Sequence, residues 1–377
     1  MPFPVAADTK PMLAKLARAI PDTPGLLYEP KWDGFRCIVY RDGDEVVLQS
    51  RNQKPLNRYF PELLPALAAA LPDQCVVDGE IVVPDAEGKG LDFDALQQRI
   101  HPAASRVNML AETTPASFVA FDLLALGDQA LLDTPFGTRR ELLAEQLTPG
   151  TVGVAGVYLT PGTTDPTVAE RWFTRFEGAG LDGVMAKPLD GVYAPDKRTL
   201  VKVKHERTAE CAVAGFRIHK DGEGVGSLLL GLYGPPFGWE VEHGLAEPGG
   251  GERLHHVGVC ASFSVAFRRE LRADLESLVL QPGDPHPWSE WIDAQAHSDQ
   301  RMPGGFSRWN ANKDLSFVPV RVERVVEVTF GQLEGGRFRH GVQFVRWRTD
   351  RTPESCGYDQ LEVAEPVAFH DLLTDTA

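Results

Sequence analysis

Hydrophobic residues recur in two different patterns along the first two hundred positions. Positions 60–71 and 168–176 repeat apolar residues at the spacing of one helix face. Segments 76–83 and 118–121, which are rich in valine and phenylalanine, are typical of strands. This mixture of strands and helices predicts an α+β domain with a largely antiparallel sheet over residues 1–205.

After residue 205 the pattern changes to short strands with one helix among them. The predicted strands are 211–218, 227–233, 254–259, 325–330 and 342–347. The helix follows the third strand, with Ser264 as its N-cap and with one apolar face made by Phe267, Leu271, Leu275 and Leu278. This order is typical of an OB-fold barrel, a common platform for nucleic acids, and predicts one over residues 206–377. A small barrel of another kind, without nucleic acid, is the alternative.

The composition is that of a folded protein, with 43% hydrophobic and 24% charged residues. No apolar run approaches the ~20 residues of a membrane span, and the N-terminus has no signal-peptide pattern. These features predict a cytoplasmic protein without a membrane partner. The five cysteines are scattered and form no Cys-x-x-Cys pair, which argues against a structural zinc site or a disulfide framework.

The net charge of −15 argues at first against a polyanionic partner, because phosphate binding requires local positive potential. The acidic excess is not uniform, however. Between Arg301 and Arg351 there are ten basic residues against five acidic ones. Such an asymmetry is typical of a protein with one surface that faces nucleic acid and an acidic remainder. The Pro- and Gly-rich stretch 281–305 is too long for a simple turn and predicts a functional or mobile loop.

The segment Glu29-Pro30-Lys31-Trp32-Asp33-Gly34-Phe35-Arg36 places an amine, a carboxylate and a guanidinium close together. Residues 26–28 predict a strand before it, Asp33-Gly34 a hairpin turn, and 37–40 a second strand. Lys31 would then stand at the end of a strand.

In an extended chain Lys31 and Asp33 share one face, while Trp32 points to the other. A free lysine has a pKa of about 10.4 and is a poor nucleophile at neutral pH. A neighbouring Arg36, partial burial or a bound metal would lower that pKa and expose the lone pair. A solvated lysine on an edge strand is the alternative interpretation.

Three further segments place charged or aromatic side chains in apolar strands. Glu80 follows Asp78-Gly79, where an unpaired carboxylate is costly, so we expect a partner, an internal salt bridge being the simple alternative. Phe121 is either a core residue or a base platform. Lys202 and Lys204 alternate with valines, so two ammonium groups share a face and repel unless an anion lies between them. A solvated edge strand would look similar.

Taken in order, these segments resemble the motifs of the covalent nucleotidyltransferases, the superfamily of ATP-dependent DNA ligases, RNA ligases and mRNA capping enzymes. In that family the motif I lysine, here Lys31, attacks the α-phosphate of the nucleotide. The other matches are Ser50-Arg51-Asn52 to motif Ia, 78–80 to motif III, 118–124 to motif IIIa, 182–187 to motif IV, 200–204 to motif V and 346–351 to motif VI. Two positions differ: Asp182 stands where most relatives carry Glu, and Arg351 where they carry Lys.

The resemblance implies roles for individual residues. Lys31 and Asp33 would be catalytic, and Asp182 and Glu80 would hold Mg²⁺, for which Mn²⁺ can substitute. ATP, whose AMP is carried covalently on Lys31, would be bound by Glu29, Arg36, Arg51, Glu80, Phe121, Lys187, Lys202, Lys204, Arg348, Asp350 and Arg351.

Within the family the chain most resembles the stand-alone bacterial ligase C proteins, through residues 254–259, 304–309 and 338–340. The resemblance implies an ATP-dependent DNA ligase that seals 5′-phosphate/3′-hydroxyl breaks in DNA repair or end joining. It would act as a cytoplasmic monomer at the bacterial nucleoid, on nicked or broken double-stranded DNA, beside a Ku-type end-binding protein or a repair polymerase. We expect neither an N-terminal DNA-clamping domain nor fused polymerase or nuclease modules. An RNA ligase or capping-type enzyme, and a non-catalytic OB-fold nucleic-acid-binding protein, are the alternatives.

Overall fold

The structure is a computed structural model that describes residues 3–147, 156–242, 246–289, 316–331, 333–334, 336–339, 341–361, 365 and 367–374. The chain divides into two compact units, one of Met1–His205 with Val363–Ala377 and the other of Glu206–Glu362. The end of the chain, which the sequence analysis included in the range 206–377, therefore belongs to the first unit. Residues 290–305 of the expected loop, residues 304–309 and His340 lie outside the described residues.

The first unit combines strands and helices, as expected for an α+β domain. Its strands are β1 Leu13–Ala17, β2 Leu26–Pro30, β3 Phe35–Asp42, β4 Glu45–Ser50, β5 Gln74–Val82, β6 Ser117–Leu126, β7 Gln129–Ala130, β8 Val157–Leu159, β9 Gly183–Pro188 and β10 Arg198–Lys204. Its helices before residue 205 are α1 Leu63–Ala70, α2 Phe93–Gln98, α3 Ala104–Thr113, α4 Phe136–Gln146 and α5 Pro166–Arg175.

These strands form two sheets. One has the order β4-β3-β5-β6-β7 and is antiparallel along that path, with β8 parallel beside β6. The other has the order β1-β10-β9-β2, in which β1 runs parallel to β10 and the remaining pairs are antiparallel. The prediction of a largely antiparallel arrangement is confirmed.

The predicted hairpin at Asp33-Gly34 is wrong. β2 pairs with β9, whereas β3 pairs with β4 and β5, so the turn passes the chain from one sheet to the other. Close packing requires glycine at this crossing, because a Cβ on Gly34 would lie 2.1 Å from the carbonyl oxygen of Ile81. Lys31 nevertheless stands at a strand end, directly after β2.

Helical spacing in the first unit predicts its core contacts correctly. Leu63 and Leu67 of α1 are fully buried against the larger sheet. Asp165 caps the N-terminus of α5, since its carboxylate accepts a hydrogen bond from the Thr167 N–H, and the helix buries Trp172 beside the smaller sheet.

The second unit is a five-stranded antiparallel barrel. Among the described residues, the five strands of the barrel are β11 Arg207–Ile218, β12 Val225–Gly234, β13 Arg253–Ala261, β14 Val318–Phe330 and β17 Gln343–Trp347, and two short strands are β15 Leu333–Glu334 and β16 Arg337–Phe338. The described helices of this unit are α6 Gly238–Glu242 and α7 Val265–Glu276. The sheet order is β13-β12-β11-β14-β17, and β15 and β16 form a separate pair. The Val342 N–H donates to the Val259 carbonyl at 3.1 Å, which brings the two ends of the sheet together.

Helix α7 lies between β13 and β14 in the chain, where the OB-fold pattern places it. The Ser264 hydroxyl accepts a hydrogen bond from the Phe267 N–H, so the predicted N-cap is present. Leu271 and Leu275 are fully buried in the barrel core. The OB-fold interpretation is confirmed at the level of strand order and helix position.

The last described helix is α8 Phe369–Thr374, which packs in the first unit. All five cysteines are free thiols and all are buried. None of the described helices combines the length and the apolar character that a membrane span requires.

Candidate active site

A cavity of about 200 Å³ opens in the first unit, and strands of both sheets line it. The predicted site residues that line it are Glu29, Lys31, Arg36, Arg51, Glu80, Phe121, Lys187 and Lys202. Residues that the sequence analysis missed also line it, namely Pro11, Met12, Leu13, Ala14, Pro30, Trp32, Met185, Arg198 and Leu200. Arg198 and Leu200 were detectable, because they alternate with Lys202 along β10 and so share its face.

Lys31 is fixed by backbone and side-chain contacts to the residues that precede and begin β9. Its N–H donates to the Gly183 carbonyl at 2.8 Å, and its carbonyl accepts from the Asp182 N–H at 3.1 Å. Its ammonium nitrogen donates to Asp182 Oδ2 at 2.5 Å. The contact brings together residues of motifs I and IV that lie 151 positions apart in the chain.

Asp182 is shared by two lysines. Lys204 Nζ donates to the same Oδ2 atom at 2.6 Å. Burial alone would raise the pKa of Asp182, but the two ammonium groups lower it to about 2. The carboxylate therefore stays charged near neutral pH and holds both amines.

Some predicted site residues of the first unit do not line the cavity. Among the described residues these are Asp33, Asp182 and Lys204. Asp182 is a carboxylate that holds the Lys31 amine in the structure. The expectation that Asp33 orients Lys31 or helps to place the metal stays a prediction. Asp182 contacts the Lys31 amine directly, and Lys204 contacts Asp182. Both residues are therefore connected to the site without lining the cavity.

Asp78 organises the part of the site around Arg36. It is fully buried and accepts two hydrogen bonds from Arg36, at 2.6 and 2.7 Å, and a third from the Tyr193 hydroxyl at 2.6 Å. The guanidinium carbon of Arg36 lies 4.3 Å from the centroid of the Phe121 ring. Tyr193 was not predicted, because it lies outside any periodic segment and shows no local signal.

Glu80 and Lys202 in the cavity wall have shifted pKa values. Burial raises the pKa of Glu80 to about 7, although Arg36 and Lys31 oppose the shift. Glu80 faces Arg36 across the β3–β5 ladder, but both of the Arg36 hydrogen bonds go to Asp78. Burial, with the charges of Lys204 and Lys31, lowers the pKa of Lys202. The repulsion that the sequence predicts between lysines on this face is thus present.

Glu29 supplies an acceptor at the cavity. Its side chain is 2% exposed and forms an ion pair with Lys187 at 2.5 Å, and Arg140 Nε lies 3.5 Å from Oε1. Within the part of the chain that the structure describes, Oε1 is buried and has no hydrogen-bond partner. Lys187 Nζ also lies 4.5 Å from the centroid of Phe121. An amine donor such as the exocyclic amine of a purine would satisfy this oxygen.

The predicted motif VI residues lie together in the second unit. Arg348 donates to Asp350 at 2.8 and 2.7 Å and also contacts Glu210. Arg351 lies 3.4 Å from Glu210 and donates to the Ser355 carbonyl at 2.8 Å. The hydrogen bond from Arg348 is the main cause of a lowered pKa at Asp350. The three residues form one charged group on the barrel.

Oxygen ligands for a metal are few. Among the described residues no group of three or more His, Cys, Asp and Glu side chains is placed to hold a metal ion. Asp182 and Glu80 supply carboxylates singly near Lys31. Mg²⁺ commonly uses one or two protein carboxylates and completes its shell with phosphate and water oxygens, so these residues fit that ion.

Comparison with known proteins identifies the family of the chain. The chain matches the family described as ATP dependent DNA ligase domain over residues 11–204. DNA ligase C of Mycobacterium tuberculosis is 53% identical over 378 residues, which cover 99% of each chain. The multifunctional non-homologous end joining DNA repair protein LigD of that species is 37% identical over 228 residues, 58% of this chain and 27% of LigD. A solved structure of a Lig E DNA ligase, at 18% identity, shares the fold with a TM-score of 0.51 over 90% of this chain and 99% of that chain. The chain therefore belongs to the family of ATP-dependent DNA ligases.

Proposed function

We propose that this ligase joins a 5′-phosphate to a 3′-hydroxyl at nicks or breaks in double-stranded DNA, through AMP carried on Lys31. The position of Lys31 supports the proposal most directly: Lys31 directly follows β2 and lines the cavity, and its amine donates to Asp182. Arg36, Lys187 and Lys202 line the same cavity. A fixed amine among cations suits attack on an anionic phosphate.

In the first step Lys31 Nζ, after losing a proton, forms a bond to the α-phosphorus of ATP. The bond from that phosphorus to the bridging oxygen breaks, and pyrophosphate leaves. The proton passes to solvent water, and Asp182, which accepts hydrogen bonds from both Lys31 and Lys204, is proposed to hold the amine in place. Asp33, in the crossing that follows Lys31, is proposed to help orient it.

The remaining residues are proposed to bind and position the nucleotide. Glu29 Oε1 would accept from the purine amine, and Phe121 with the Arg36 guanidinium beside it would provide the stacking surface. Lys202 and Lys204 would neutralise phosphate charge as pyrophosphate departs. Arg51 lines the same cavity, and Arg348, Asp350 and Arg351 are proposed to contact the triphosphate during this step.

Asp182 and Glu80 are proposed to hold Mg²⁺. The ion would neutralise charge on the phosphate oxygens when bound. Mg²⁺ would compete with Lys31 and Lys204 for the Asp182 carboxylate, because both lysines donate to its Oδ2 atom.

In the second and third steps AMP passes from Lys31 to the 5′-phosphate of the DNA, and the 3′-hydroxyl then displaces AMP as the new phosphodiester bond forms. The LigD relative is named for non-homologous end joining. We propose a similar setting for this chain, in the cytoplasm, with a Ku-type protein or a repair polymerase as partner and with the ligase as a monomer.

Incubation of the protein with α-labelled ATP, followed by addition of nicked DNA, tests the proposal. Wild-type protein should retain the label covalently and release it as AMP when nicked DNA is sealed. Lys31→Ala should retain no label, whereas Lys89→Ala, which removes an exposed lysine, should behave as wild type. A Lys31→Ala protein that still becomes labelled would rule out the assigned nucleophile. GTP and nicked RNA in parallel reactions separate this activity from capping-type or RNA-joining activity.

A further inference from the structure

The last described segment of the chain, residues 367–374, lies in the core of the first unit. Val367, Phe369 and Leu372 are buried there, in the same cluster as Trp32. The Phe369 N–H donates to the Gly88 carbonyl at 2.9 Å. The chain leaves the first unit after His205 and returns to it after Glu362, so the whole second unit lies between the two parts of the first unit in the sequence.

Phe369 touches the residue next to the nucleophile. Its ring centroid lies 6.0 Å from that of Trp32, with the planes at 70°, and 5.5 Å from that of Tyr158, with the planes at 81°. Both are edge-to-face contacts, a favourable geometry for aromatic pairs. Phe369 is thus one support of the Trp32 indole.

Thr160 provides a second support. The Trp32 indole N–H donates to Thr160 Oγ1 at 2.8 Å, and the indole is 5% exposed while it also lines the cavity. The Trp32 ring therefore has a hydrogen bond at its nitrogen and an aromatic contact to the end of the chain. Lys31 is the residue immediately before it, and its backbone is held by Asp182 and Gly183.

We propose that residues 367–374 form a positioning element for the adenylylation step, which holds Trp32 and through it the backbone that carries Lys31. The inference rests on the proposed role of Lys31 as nucleophile. A nucleophile displaced by about 1 Å loses about a hundredfold in rate, so a support directly behind it matters for the reaction. The six-residue helix α8 is too short to be stable alone, so its order depends on the burial of Phe369 and Leu372.

The test compares Phe369→Ala with His370→Ala in the full-length protein. His370 is exposed on the same helix, so its replacement leaves the contact with Trp32 intact. We expect Phe369→Ala to slow lysine adenylylation at saturating ATP by about ten- to a hundredfold, with the ATP concentration for half-maximal rate changed less than about threefold. Phe369→Leu, which keeps most of the apolar volume, should recover the rate to within about threefold of wild type.

A spectroscopic measurement separates positioning from general destabilisation. In protein labelled with 5-fluorotryptophan, the ¹⁹F resonance that is lost in Trp32→Phe should shift in Phe369→Ala and stay in place in His370→Ala. If Phe369→Ala does not fold, Leu372→Ala carries the same test, because it loosens the same helix without removing the ring that touches Trp32.

A wild-type adenylylation rate in folded Phe369→Ala, or an unshifted Trp32 resonance, would overturn the inference. An equal loss of rate in His370→Ala would also overturn it. Failure of the proposed function is distinguishable, since it would appear as labelling of Lys31→Ala. If Lys31→Ala is inert and Phe369→Ala is fully active, the proposed function stands and only the positioning role of residues 367–374 is overturned.

Discussion

Asp78 holds Arg36 through two hydrogen bonds of 2.6 and 2.7 Å, and this carboxylate is fully buried. The pair joins neighbouring strands, β3 and β5, at the wall of the cavity in the first unit. It fixes the guanidinium over Phe121, so a residue that lines the cavity is held by one that contributes to the core.

Replacement of Asp78 by Asn should destabilise the first unit and weaken ATP binding. The neutral amide leaves the buried side of Arg36 without its counter-charge, and removal of one partner of a buried ion pair typically costs about 3–5 kcal/mol. The free energy of unfolding by urea and the ATP concentration for half-maximal adenylylation measure the two effects. Asp73→Asn is the control, because Asp73 pairs with Arg41 while 92% exposed. Equal losses in both variants would contradict the expected role of Asp78.

Tyr193→Phe should give a smaller loss of stability. The change removes one donor to Asp78 but leaves the Arg36 pair in place. A hydrogen bond to a charged group contributes about 1.5–3 kcal/mol, which sets the expected decrease in unfolding free energy. Urea titrations of Tyr193→Phe, Asp78→Asn and the double variant should show that the two effects do not add, because both changes act on the same carboxylate. Strict additivity would argue that Tyr193 acts elsewhere.

Glu80→Gln should stabilise the protein at high pH and much less at low pH. Burial raises the pKa of Glu80 from 4.5 to about 7, so between these values the folded state binds a proton that the unfolded chain does not. The stability contributed by this group is therefore present at low pH and lost as the pH rises through about 7. The difference in unfolding free energy between Glu80→Gln and wild type should grow by at most about 3 kcal/mol from pH 4.5 to pH 8.

Urea titrations at several pH values measure this difference. Glu112→Gln, at an exposed position of α3, provides the control and should show no comparable trend. If the difference in unfolding free energy between Glu80→Gln and wild type stays constant with pH, the pKa of Glu80 is not raised in the folded protein.

Gly34→Ala should impair both folding and adenylylation. The added Cβ would lie 2.1 Å from the Ile81 carbonyl oxygen, so the crossing between the sheets must shift. Overpacking of this kind costs about 1–3 kcal/mol, and the shift would carry Lys31 with it. Gly251→Ala, where a Cβ meets nothing within 4 Å, should change stability by less than about 0.5 kcal/mol. Thermal unfolding and single-turnover labelling measure the effects; a wild-type rate in Gly34→Ala would show that the crossing tolerates a Cβ.

The sequence predicts elements well where the signal is periodic. The face of α7, its Ser264 N-cap and the strand order of the barrel follow from local spacing and local hydrogen bonding. The predicted hairpin was wrong because Asp33-Gly34 is a genuine turn signal whose flanking strands find other partners. Strand pairing is decided by the whole core, and the partner of β2 is β9, far along the chain.

The site was predictable where charged residues stand in apolar strands, as for Glu80 and the lysines of β10. The contact between Lys31 and Asp182 joins residues 151 positions apart, and the hydrogen bond from Tyr193 to Asp78 joins residues 115 apart. No local pattern encodes such a distance. The return of the chain end to the first unit was missed for the same reason, since a short apolar segment shows no sign of which core it joins.

The burial of every native thiol makes the unmodified chain a suitable background for site-specific labelling. Burial raises the pKa of Cys37, Cys75, Cys211, Cys260 and Cys356, so their thiolates are scarce at the pH where maleimides react. A cysteine introduced at an exposed position in each unit would then carry a fluorophore pair without prior removal of native cysteines. Energy transfer between the two dyes would report the distance between the barrel and the nucleotide-binding unit before and after ATP is added.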